Sequence, residues 1–233
     1  MKKAFFAVFL MLFVVSCGPS ANPQLKAKIS PYFTQDSSTR IRASKKFYSP
    51  MPLAIGQYAV YGTIEDDGTR SITKTSIVGR EAGGWIYESY TLSETQESTV
   101  QILIRGLGKV RKSGNIDDIE LLWVKIKGED GKVQKLEGPV LMMAKSLYKK
   151  HLSGLDVTVS QYVNGGTVKV PAGSFAGTNK VKSEVTFWGK KYKSTGWYHY
   201  KVPINGMVKS VTDDGDSTMV LLEYGTRGAK SSF

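Results

Sequence analysis

The sequence predicts a mainly β protein: a curved antiparallel sheet or half-barrel covering one amphipathic helix. Three observations predict it. From Ile55 onward, apolar and polar residues alternate with period two in short runs bounded by turn residues, as antiparallel strands do. One later segment breaks that alternation with helical spacing. Cys17 is the single cysteine, so no internal disulfide can form and the fold must be held by its core.

Taken in order, residues 58–61 run into Asp66-Asp67-Gly68, a hairpin signal, and residues 71–78 return. Gly83-Gly84 opens a strand at 85–90, and 100–104 is the next. Residues 119–126 are almost continuously apolar before Glu129-Asp130-Gly131. Val181, Val185 and Phe187 then alternate with Lys182, Glu184 and Thr186, and strands at 191–200, 207–211 and 219–224 complete the series. Asp213-Asp214-Gly215-Asp216 joins the last two as a hairpin. The exception is 139–152, which starts with a first-turn proline, carries Lys149, Lys150 and His151 in its last turn and stops before Gly154. Val140, Ala144, Leu147 and His151 share one face, widened by Leu141, Tyr148 and Leu152. A helix with that face is expected on the concave side of the sheet, which needs covering.

The N-terminus gives an address. Lys2 and Lys3 precede an uncharged apolar run at 4–15, too short to cross a bilayer as a stable helix, so residues 1–16 read as a secretory signal peptide. Val14-Val15-Ser16-Cys17 resembles the lipobox of bacterial lipoproteins. That resemblance implies a diacylglyceryl group and an N-acyl chain such as palmitate on Cys17, and two or more chains give a stable membrane anchor. Gly18 in place of Asp implies, by the same resemblance, the outer membrane, facing the periplasm. The alternative is a free thiol behind an ordinary signal peptide cleaved elsewhere.

Charge is uneven. The chain carries +12 formally, and Lys26, Lys28, Arg40, Arg42, Lys45 and Lys46 face only Asp36 between Gly18 and Pro52. That stretch also holds five of the eight prolines. Residues 17–52 therefore read as the lipidated cysteine plus an extended basic tether, drawn to an anionic surface or merely solubilising. Residues 53–233 are expected to be one domain. Nucleic acid is not an expected partner of an exported lipoprotein, whatever its charge.

No catalytic signature emerges. His151 and His199 lack the spacing of a zinc site, and no metal or cofactor is expected. Gly173-Ser174-Phe175 is not a nucleophile elbow. Gly106-Leu107-Gly108-Lys109 lacks the spacer and ending of a phosphate loop. Asp213, Asp214 and Asp216 lack the rest of a calcium loop, and hairpin chemistry accounts for them. The aromatic group Trp188, Tyr192, Trp197, Tyr198 and Tyr200 either lines a ligand groove or cross-braces paired strands. By parity Tyr192, Tyr198 and Tyr200 share one face, with Trp197 and His199 on the other. Trp188, Tyr192, Tyr198 and Tyr200, with Val140, Ala144, Leu147 and Tyr148 of the helix, form the candidate groove.

Val170-Pro171-Ala172-Gly173-Ser174-Phe175, Trp197-Tyr198 and Val202-Pro203-Ile204-Asn205-Gly206-Met207-Val208-Lys209 are similar to a pattern in uncharacterised bacterial envelope proteins, with Ser174 where Thr is usual. Some of these resemble the half-barrel of the lipoprotein-localisation carriers, which implies a curved sheet holding a helix over an apolar cavity. The expected function is a membrane-anchored, non-enzymatic envelope lipoprotein binding a lipid or other apolar ligand. The alternative is a structural or interaction lipoprotein with no cavity, contacting an anionic envelope polymer or a protein partner.

Overall fold

The structure, a computed structural model, describes residues 21–34, 40–41, 51–107, 109, 118–128, 130–153, 156–187 and 190–233, without the side chains of 40–41, 147–162, 185–187 and 190. The elements are α1 (Pro23–Thr34), β1 (Arg40–Ile41), β2 (Tyr58–Glu65), β3 (Arg70–Glu81), β4 (Gly84–Ser93), β5 (Glu97–Arg105), β6 (Glu120–Lys127), β7 (Val133–Leu136), α2 (Gly138–Ser153), β8 (Asp156–Val170), β9 (Gly173–Phe187), β10 (Lys190–Tyr198), β11 (Met207–Thr212) and β12 (Ser217–Gly225). The predicted class holds: a curved, unclosed, mainly antiparallel sheet. Its order is β1-β9-β10-β11-β12-β2-β3-β4-β5-β6-β7, with β8 paired on β9. Only β1 on β9 is parallel among the described pairings. The edge strands β7 and β8 add to those the alternation predicts.

Curvature is visible in who touches whom. Val170 and Phe175, from β8 and β9, pack against Ala59, Tyr61, Val208 and Leu221 of β2, β11 and β12. β10 and β11 lie between β9 and β12 in the sheet, so the sheet must curl toward this face. The Ala172 amide, between β8 and β9, donates to the Leu221 carbonyl at 3.1 Å and fixes the curl. This concave side is filled here: Phe175, Val208 and Leu221 have no exposed surface.

The opposite, convex face of β2, β3, β4 and β12 carries Val60, Ile72, Leu92 and Leu222, and α1 covers it with Leu25 and Ile29. Residues 23–34 are therefore a docked helix, which corrects the extended tether expected there. The local signals for that helix are present in the chain. Asn22 caps it, its Oδ1 accepting from the Gln24 amide at 2.9 Å, and Pro23 takes the first-turn position where its missing amide costs nothing. Leu25 and Ile29, four residues apart, stack on one face. Pro31 sits inside the last turn, and the helix ends three residues later. Gly62 on β2 leaves the gap that Phe33 fills: a Cβ there would fall 2.5 Å from Phe33 Cζ.

The basic residues of this stretch are likewise engaged. Lys28 pairs with Glu97 at 2.7 Å and Lys26 with Glu94 at 3.8 Å. The Lys28 ammonium, helped by the Tyr90 hydroxyl, holds the Glu97 carboxyl below the usual carboxylate range. Arg42, Lys45 and Lys46 lie outside the described residues, as do Cys17 and residues 1–16.

α2 forms where its sequence predicts. It reaches the core through Leu141, while Val140, Met142 and Met143 are 49%, 71% and 60% exposed. Among the described side chains of the predicted face, Leu141 docks and Val140 does not; across the sheet, the convex face is covered by α1.

Replacing Ile29 with Ala should cost about 2–5 kcal/mol of stability, as for a buried core position, in denaturant unfolding of the whole chain. A change within measurement error would mean that α1 is not part of the fold.

Candidate functional site

The concave face is assembled by strand register, and it is chemically graded. One cross-strand row runs Ile77, Tyr87, Ile102, Val124, Leu136 from β3 to β7. The next runs Ala59, Thr75, Ser89, Val100, Ile126 from β2 to β6. A third runs Tyr61, Thr73, Thr91, Ser98 from β2 to β5. The face is apolar toward one end and β6, and rich in hydroxyls toward the other. Trp85, Val100, Ile102 and Ile126 are half-buried, and Leu141 of α2 joins their cluster.

Polar groups sit beneath this face. Gln57, 2% exposed, donates through Nε2 to the Pro52 carbonyl at 2.8 Å, but its Oε1 and the Ser89 Oγ are buried with no hydrogen-bond partner among the described residues. Such orphaned atoms are uncommon in folded proteins.

The loop 199–206 closes the middle of the concave side. The Asn205 amide donates to the Pro203 carbonyl at 2.9 Å around Ile204, whose φ is 70°. A three-residue turn with positive φ at its centre is strained, and more so for a β-branched residue. The surroundings over-determine it. Asn205 Oδ1 accepts from the Tyr61 hydroxyl at 2.7 Å and from the Met207 amide at 3.0 Å, and Gly206 (φ 77°) lets its carbonyl take the His199 amide at 2.7 Å. The result places Ile204 against the apolar cluster of β3–β6. Sequence reasoning missed Ile204 as a site residue; its only signal was the Pro203–Gly206 turn frame.

The predicted groove residues are not gathered in one place. Tyr198 is core: burial pushes its hydroxyl pKa up, as it does that of the neighbouring Tyr61. Gly196 makes room for its ring, since a Cβ there would fall 2.6 Å from Tyr198 Cε2. Tyr192, on the same face of β10, is 45% exposed at the strand's other end. Tyr200 is half-buried beyond β10, which ends at Tyr198, where its register with β11 shifts by one residue at Val208. Ala144 is half-buried and Val140 exposed on α2; Leu147 and Tyr148 lie in that helix with side chains outside the described residues, as does all of Trp188.

The remaining candidates resolve individually. His199 is buried, 5.5 Å edge-on from the Phe175 ring, and its Nδ1 accepts from the Lys201 amide at 3.3 Å. His151 sits in the last turn of α2, its side chain outside the described residues. Asp213 accepts from Thr195 Oγ1 at 3.2 Å and Asp214 from the Asp216 amide at 3.2 Å, as hairpin residues do. Among the described residues no group of three or more His, Cys, Asp or Glu side chains could hold a metal ion, and no helix is long and apolar enough to cross a membrane. Gly106 (φ 93°) lies against the Asp118 carbonyl, a close approach at a chain reversal; Gly108 lies outside the described residues.

No known family and no curated protein matches the chain. Among solved structures it is distantly similar to MucB, at 14% identity and a TM-score of 0.35, over 76% of this chain and 55% of that one. The chain thus spans about half the length of that protein. A candidate lipoprotein from Parabacteroides distasonis ATCC 8503 gives 12% and 0.30, over 75% and 97% of the two chains. A DUF1329 family protein from Desulfovibrio piger ATCC 29098 gives 11% and 0.28, over 87% and 89%. Likenesses this distant do not identify what the chain binds.

Asn205→Ala should destabilise the chain by about 1–3 kcal/mol, because it strips a partner from the buried Tyr61 hydroxyl. Tyr61→Phe, which takes a donor from Asn205 Oδ1 and the Met207 carbonyl but leaves the Met207 amide its acceptor, should cost less. Urea titration of both variants checks the order.

Proposed function

We propose that this chain is a non-enzymatic envelope lipoprotein, anchored through acyl chains on Cys17, that shelters a lipid or acyl chain on the concave face beneath α2. The observation that carries this reading is the graded face. Trp85, Val100, Ile102 and Ile126 offer half-buried apolar surface, and Thr75 and Ser89, in the row that Val100 and Ile126 continue, supply a polar end. Apolar surface removed from water is worth about 25 cal/mol per Å² before the costs of binding. α2, docked through Leu141 and otherwise carrying exposed Val140, Met142 and Met143, is suited to move over such a ligand, since Met side chains adapt to irregular shapes. The lipobox and Gly18 support an address at the outer membrane, facing the periplasm.

A second reading, an interaction lipoprotein without a ligand space, draws on the other half of the concave side, where Phe175, Val208 and Leu221 leave no room. Native mass spectrometry of chain purified from bacteria separates the two. An adduct of lipid mass is expected, with Ile102→Asn weakening its retention about tenfold or more and Tyr192→Ser leaving it unchanged. Absence of any co-purifying lipid, together with failure to bind an apolar dye, favours the second reading.

A further inference from the structure

The convex side beyond α1 carries a pattern that neither the core nor the concave face explains. One register row crosses five strands as Val163, Lys180, Trp197, Lys209, Val220, from β8 to β12. Trp197 is half-buried and lies between two ammonium groups, with Lys180 Nζ 5.3 Å and Lys209 Nζ 5.7 Å from its ring centroid. The ring reaches over β9 as far as β8: a Cβ on Gly165 would fall 2.8 Å from Trp197 Cδ1. The indole thus crosses β9 toward β8, with a lysine ammonium near its ring from each neighbouring strand and exposed Val163 at one end of the row.

The same face continues with more positive charge. Lys182 stands opposite Thr195, one row along. Glu184, in the row after that, is already engaged by Lys191 at 2.8 Å and approached by Lys193 at 3.9 Å, and this holds its carboxyl below the usual range. Among the described residues no carboxylate lies within ion-pair distance of Lys180 or Lys209.

We propose that this face of β9, β10 and β11 is a docking surface for an anionic phospholipid bilayer, with Trp197 at its centre. Lysines near such a surface are attracted individually, and an indole, apolar with one polar N–H, belongs at the headgroup level between water and acyl chains. The proposal rests on the anchored address of the proposed function, which supplies the bilayer as a neighbour. Asn22, whose amide donates to the Glu94 carbonyl at 2.7 Å, ties the start of α1 to the sheet. The covalent path from Cys17 to Asn22 spans at most about 18 Å fully extended. An acylated Cys17 would therefore hold the domain within reach of the headgroups. α1 lies on the convex side against Leu222 of β12, the strand beside β11, so that side is the one drawn toward the membrane.

The test uses the mature chain expressed without its signal, and so without acyl groups, in co-sedimentation with two kinds of vesicle. Binding is expected to vesicles of equal parts phosphatidylglycerol and phosphatidylcholine, weakening with salt, and not to phosphatidylcholine alone. Lys180→Gln with Lys209→Gln should weaken it about 30-fold at unchanged melting temperature. Trp197→Phe should abolish the blue shift of tryptophan emission on binding. Equal binding to neutral vesicles, an unaffected double variant, or a preference for a soluble anionic polysaccharide over vesicles would each overturn the proposal. None of these outcomes depends on a ligand in the concave face or on the sulfur of Cys17, so the two readings fail separately.

Discussion

Strand β2 is buried on both of its faces, and the rest of the molecule is arranged around that constraint. Ala59 and Tyr61 point into the concave core with Phe175 and Leu221; Val60, one step between them, points into the cluster under α1. A sheet wet on one side would leave Val60, Ile72, Leu92 and Leu222 in water. α1 resolves this with little more than Leu25, Ile29 and the Phe33 ring set over Gly62. The ion pairs from Lys26 and Lys28 fix its orientation more than its affinity, since exposed pairs contribute little.

With the convex side occupied, the concave side divides in two. Toward β8 and β9 the curl brings the sheet onto itself, and the space is taken by its own side chains. Toward β4, β5 and β6 the sheet runs out before it can close, leaving Trp85, Ile102 and Ile126 half-buried beneath α2, which reaches their cluster through Leu141. The strained turn at Ile204 stands at the boundary, pinned from the filled half through Tyr61 and pressing a side chain into the other. Strain of this kind persists only where its surroundings enforce it, and it gathers at places that hold something.

Much of the sheet was legible in the sequence, because period-two alternation is a direct consequence of the pleat and survives any tertiary arrangement. β2 to β6 and β9 to β12 were readable on that ground, and α2 on its proline start and helical spacing. The helix α1 was obscured by what surrounds it: prolines and lysines read as a tether, although Asn22-Pro23 and the Leu25–Ile29 spacing were present as helix signals. Parity placed Tyr192 and Tyr198 correctly on one face of β10, yet it is silent on how far along the strand the core extends. One is exposed and the other buried for that reason. The concave grading was hidden altogether, because its rows come from register between strands, which no single strand's pattern specifies.

The state of residues 25–34 in solution bears most directly on all of this. Hydrogen–deuterium exchange of the whole chain, followed by mass spectrometry, should show the amides of α1 exchanging as slowly as those of β2. Exchange of residues 25–34 at the rate of an unstructured peptide, with β2 still protected, would mean that the convex face is bare and that the partition of the two faces is wrong.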